Sequence, residues 1–82
     1  MNVFDDIVKL IEQKFDVRVE KEVSSNLLLI RVSGLDNYSL ARYITENFNA
    51  KVTVKQREGY KFSDFGWIKI QKSDNSELIL TT

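Results

Sequence analysis

The sequence predicts an α+β domain in two layers, an antiparallel sheet with two helices on one face, in the order αββαβββ. Three observations predict it. Two apolar stripes recur at helical spacing, and the segments between and after them alternate with a period of two. The chain has 82 residues, room for one domain and one core. A faint internal repeat joins the halves: Ile11-Glu-Gln-Lys-Phe15-Asp-Val-Arg18-Val19 lines up with Ile44-Thr-Glu-Asn-Phe48-Asn-Ala-Lys51-Val52. An αββ unit used twice, with the second copy extended, places two helices on one face of a sheet and leaves the other face open.

The first helix is expected from Val3 to Phe15. Val3, Phe4, Ile7, Val8, Ile11 and Phe15 form its stripe, Asn2 suits the N-cap, and Asp5 and Asp6 suit the positive end of the dipole. Val17, Val19 and Val23 alternate with Arg18, Glu20 and Glu22 as a half-buried strand. Ser24-Ser25-Asn26 turns the chain, and Leu27 to Val32 returns as the second strand of a hairpin. Gly34 ends it. Asp36 is the next N-cap, with Leu35 and Leu40 placed as a hydrophobic staple. The second helix runs from about Asn37 to Phe48, with Leu40, Ala41, Ile44 and Phe48 as its stripe. Phe15 and Phe48 end their stripes at equivalent places in the repeat, so both are expected to be buried.

Val52 and Val54 alternate with Lys51, Thr53 and Lys55 in a third strand. Glu58–Phe65 reads as a long loop carrying Tyr60, Phe62 and Phe65. Trp67–Lys72 is a fourth strand, with Ile68 and Ile70 on one face and Trp67, Lys69 and Gln71 on the other. Ser73–Ser76 turns the chain into a short last strand, Glu77–Thr82. Proline is absent, so glycines and Ser/Asn/Asp clusters must make the turns.

The composition excludes much chemistry. There is no cysteine and no histidine. That removes disulfides, thiolate metal sites, a thiol nucleophile and any Ser-His-Asp or Cys-His arrangement. The three glycines are too far apart for a phosphate loop. Asp5-Asp6 and Glu20/Glu22 read as helix capping and as a solvated strand face rather than as metal ligands. The expectation is therefore no enzyme, no catalytic residue, no cofactor and no metal. The chain does not open on a basic patch followed by an apolar run. Its longest apolar run, Leu27–Ile30, is far below the ~20 residues of a membrane helix. A soluble, cytoplasmic protein without membrane contact is expected.

Formal net charge is zero, but residues 1–41 carry −2 and residues 42–82 carry +2. Between Lys51 and Lys72 six basic residues face only Glu58 and Asp64. A local basic region permits nucleic-acid binding without demanding it.

The predicted order is related to the ferredoxin-like fold. Moving the first βαββ of its βαββαβ behind the last αβ gives αββαββ, a circular permutation. Within that frame, residues 27–71 resemble an RNA recognition motif: strand, helix, strand, long loop, strand. The last strand reads Ser63-Asp-Phe65-Gly66-Trp67-Ile68-Lys69-Ile70, and Phe65, Gly66, Trp67 and Ile68 fit the family's signature octamer. Ser63, Asp64 and Ile70 depart from it. Leu29 stands where the family's other signature strand carries a stacking aromatic, so one base platform is missing. The resemblance implies stacking of unpaired bases on Phe65 and Trp67.

Two functions are expected of the open face. One is binding of single-stranded nucleic acid, RNA first, through Phe65, Trp67, Lys69, Lys55, Arg57, Lys51, Tyr60, Leu29 and Arg31. The other is docking of a protein partner or a second copy, by the same face or by an edge strand. A continuous basic track through Lys51, Lys55, Arg57 and Lys69 favours the first. Flanking by Glu20 and Glu22 favours the second.

Overall fold

A computed structural model describes residues 3–55 and 67–81. Its elements are α1 (Val3–Phe15), β1 (Glu20–Ser24), β2 (Leu27–Arg31), α2 (Asn37–Asn47), β3 (Ala50–Lys55), β4 (Ile68–Lys72) and β5 (Glu77–Thr81). The predicted order αββαβββ is observed. Asn2, the loop expected at Glu58–Phe65 and Thr82 lie outside the described residues.

Helix α1 buries Phe4, Ile7, Val8 and Ile11, one face of a 3.6-residue period. Asp5 and Asp6 stand in its first turn and Lys14 in its last, matching the dipole at both ends. Asp16 follows with φ +53° and redirects the chain, a left-handed conformation that Asp tolerates better than most residues. The first strand therefore starts at Glu20 instead of Val17. The connecting Val19 is buried, and its N–H donates to Glu12 Oε2 at 3.4 Å.

Helix α2 starts where the sequence places it. The Asp36 carboxylate accepts from the backbone N–H groups of Tyr38 (3.4 Å) and Ser39 (3.3 Å), and from the Ser39 hydroxyl (2.8 Å). Leu40 is buried and Leu35 packs against the core, so both staple residues are in position. Gly34, with φ +87°, makes the turn between β2 and α2.

The sheet order is β1-β2-β4-β3-β5. The antiparallel expectation holds for β1·β2, β2·β4 and β3·β4, but β3 and β5 are parallel, so the sheet is mixed. The reason is topological. Strand β4 already has β2 on one side and β3 on the other, so β5 cannot form a hairpin with it. The chain instead crosses the start of β3 and pairs on its far side, which makes β5 parallel to β3. Ser76 fastens the crossing: its hydroxyl donates to Phe48 O at 2.9 Å and lies 3.5 Å from Asn49 Oδ1.

Both helices cover the same face. Beneath them lie Leu28, Ile30, Val52, Val54, Ile68 and Ile70, all fully buried, and Leu40, Ala41 and Ile44 come down from α2. Lys72, at the end of β4 on this face, holds its Nζ 5.2 Å from the centroid of the Phe4 ring. Phe15 and Phe48 are half-buried, not buried as expected. Each sits at a helix end, where the apolar stripe runs off the sheet. Phe15 meets Tyr43 instead, edge to face, with ring centroids 5.3 Å apart.

Candidate functional site

The face away from the helices is built by strand register. Glu22, Leu29, Lys69, Thr53 and Ile79 form one row across the five strands. Ser24, Leu27, Gln71, Lys51 and Glu77 form the next. Glu20 and Arg31 pair in a third. Every described side chain in these rows is exposed or half-buried. The alternation read from the sequence placed Leu29, Lys51, Trp67 and Lys69 on this side.

Three cations run diagonally across the three central strands. Lys51 on β3 is opposite Gln71, so Lys69 on β4 is its diagonal neighbour. Lys69 is opposite Leu29, so Arg31 on β2 is the next. Diagonal neighbours on one face stand about 7–8 Å apart. Among the described residues Lys51 and Lys69 have no carboxylate partner. Arg31 has one. Its Nη2 and Nε donate to Glu20 Oε2 at 2.8 and 3.1 Å.

Trp67 closes the diagonal. It directly precedes β4, is half-buried, and has the Arg31 guanidinium carbon 5.2 Å from its ring centroid. The contact is a cation–π interaction on the same side of the sheet. Arg31 thus touches an aromatic ring and a carboxylate at once. Because Arg31 and Glu20 are each about half exposed (side chains 48% and 55%), their ion pair contributes at most ~1 kcal/mol and is readily exchanged.

The expected site is brought together in part. Leu29, Arg31, Lys51, Trp67 and Lys69 share the open face. Phe65, Arg57 and Tyr60, and the side chain of Lys55, lie outside the described residues. Glu20 is a participant that sequence reasoning left on a solvated strand face. Its pairing with Arg31 follows from the turn: taking Ser25-Asn26 alone as the loop sets Ser24 opposite Leu27 and Glu20 opposite Arg31. A recess of ≈ 370 Å³ beside this pair is lined by Val17, Arg18, Glu20, Arg31 and Ser33.

A second cavity, ≈ 360 Å³, lies in the helix layer, framed by Lys14, Phe15, Leu35, Tyr38 and Tyr43 among others. Among the described residues no group of His, Cys, Asp or Glu could hold a metal ion, and no helix is long and apolar enough to cross a membrane. No family model matches the chain, and neither a curated protein nor a solved structure is significantly similar to it.

Proposed function

We propose that this protein is a non-catalytic, cytoplasmic module that binds single-stranded nucleic acid, RNA first, across its open sheet face. The observation that carries the reading is the diagonal Lys51–Lys69–Arg31 ending at Trp67. A single strand offers phosphates in series and bases with exposed π-faces. A row of cations beside a half-buried indole answers both needs. The Arg31 guanidinium already lies against one aromatic ring and can present its plane to a base as well. The resemblance of residues 27–71 to an RNA recognition motif agrees with this use of the face.

The fold relation belongs to the same reading. Without β5, the strand order is β1-β2-β4-β3, the order that permuting a ferredoxin-like βαββαβ sheet produces. The fifth strand is an addition to that frame.

The test is a titration of the full chain with short single-stranded RNA. Trp67 is the only tryptophan, so its fluorescence reports alone. Quenching, with affinity falling as salt rises at a log–log slope of roughly −2 for three phosphate contacts, is the expected result. No response up to about 100 µM RNA, a Kd weaker than about −5 kcal/mol of binding, overturns it. One observation favours a second reading. Glu20 and Glu22 on β1 and Glu77 on β5 border the cations on both sides. Such a mixed pattern suits a protein partner with matching charges, which would leave Trp67 silent to RNA at any salt concentration.

A further inference from the structure

The two edges of the sheet are unlike. Strand β1 is exposed at all five residues and reads Glu-Lys-Glu-Val-Ser, the charged composition that blocks strand addition. Strand β5 reads Glu-Leu-Ile-Leu-Thr. It pairs with β3 on one side, and among the described residues nothing pairs with the other. Its outward N–H and C=O groups form a template on which Glu77 is the one charged side chain. Leu80 is 44% exposed on the helix-covered face, beside buried Val54.

We infer that β5 pairs antiparallel with β5 of a second copy of this chain, about a two-fold axis at Ile79, joining two five-stranded sheets into one. The sequence of the strand selects this occupant. With the axis at Ile79, Leu78 stands opposite Leu80 of the partner and Ile79 opposite its own copy. Glu77 meets Thr81, so no like charges oppose each other. The exposed Leu80 is then covered by a leucine. The same operation on β1, centred at Glu22, sets carboxylate against carboxylate. Pairing β1 with β5, helix layers together, sets the charged Lys21 among the leucines and leaves an unmatched edge at each end.

The geometry leaves room. At ~4.8 Å between strands, the two copies of α2, which pack over β3 and β5, come to lie roughly 10–14 Å apart, close to helix-packing distance. Leu78, Leu80 and their copies fill the gap below. Both helix layers stay on one side and both open faces on the other. The contact is small, so the dimer is weak and depends on concentration.

The absence of native cysteine allows a direct test of register. Ile79→Cys places one thiol on the axis, where antiparallel partners sit about 4.5–5.5 Å apart at Cα, within disulfide reach. Under mild oxidation Ile79→Cys should cross-link much faster than Val23→Cys on the charged edge. Sedimentation of the native chain from about 1 to 500 µM should show a monomer passing to a dimer, and Leu80→Lys should weaken that dimer at least about tenfold, or ~1.4 kcal/mol. Leu80 is exposed, so this variant keeps its fold, and its urea melt at low concentration should match the native one. A monomer throughout the range, or equal cross-linking at positions 23 and 79, overturns the inference. RNA plays no part in these readouts, so they stand or fall apart from the function proposed above.

Discussion

The Arg31 guanidinium lies 5.2 Å from the centroid of the Trp67 ring while its N–H groups hold Glu20. Among the described residues, the open face therefore has one cation paired with a carboxylate, Arg31, and two without a carboxylate partner, Lys69 and Lys51, along its diagonal. On the proposed function, a nucleic acid would have to displace Glu20 to use all three.

That competition gives the first prediction. Glu20→Gln removes the anion and keeps the shape. RNA affinity should rise about 2–5-fold with the salt slope staying near roughly −2, because the third phosphate contact, at Arg31, no longer has to displace an anion. Fold stability should change by less than ~1 kcal/mol, because the pair is exposed. Titrations at several salt concentrations check this. A drop in affinity would instead make Glu20 a contact residue.

The aromatic platform gives the second. Trp67→Phe should retain most RNA binding, and Trp67→Ala should lose about 1–3 kcal/mol of it. Lys69→Ala should flatten the salt slope while leaving the urea midpoint near the native value. Anisotropy with a labelled oligonucleotide measures both without relying on the indole. Loss of stability without loss of binding would assign Trp67 to packing alone.

The third prediction concerns the start of α2. Asp36→Ala removes the acceptor of two backbone N–H groups and one hydroxyl. It should cost about 0.5–2 kcal/mol, whereas Asp36→Asn should cost little. Urea denaturation with a constant m-value is the measurement.

Burial sets the fourth. Ile70→Ala, in the centre of the sheet, should cost about 2–5 kcal/mol. Phe15→Ala should cost less than a fully buried phenylalanine would, because its ring is half-buried against Tyr43. A double-mutant cycle of Phe15 and Tyr43 should give a coupling of about 0.5–1.5 kcal/mol. A coupling near zero would mean that the helices do not meet through these rings.

The elements were legible where a local rule acts alone. The stripe Phe4–Ile7–Val8–Ile11 and the Asp36 cap depend on neighbours within a turn, and the structure follows the reading at both. The parity of β2, β3 and β4 was likewise legible, since a two-residue period needs no knowledge of partners. What the residues could not show was neighbourhood. The parallel pairing of β5 depends on both sides of β4 being filled, a fact about three separate segments. The shallow burial of Phe15 and Phe48 depends on how far the sheet extends beneath the helix ends. At the site, the sequence marked Trp67, Lys69 and Arg31 as surface chemistry. The tie between Arg31 and Glu20 awaited the hairpin register, which turns on whether Ser24 belongs to the loop or to the strand.

The crossing of β3 has a consequence for how the molecule comes into being. Strand β4 is central in the sheet yet sixth among the seven elements of the described residues. Of the pairings among the described residues, a nascent chain that stops before Ile68 can make only β1·β2, because the other three all need β4 or β5. Strand β3 then lacks both of its described neighbours, β4 and β5. Synthesis therefore delivers most of the apolar sequence before any stable sheet exists, and the contacts that complete it are distant along the chain, which slows folding. An early stop or frameshift would not leave a smaller version of this domain. It would leave a helix, a hairpin and a second helix without the strand that joins them.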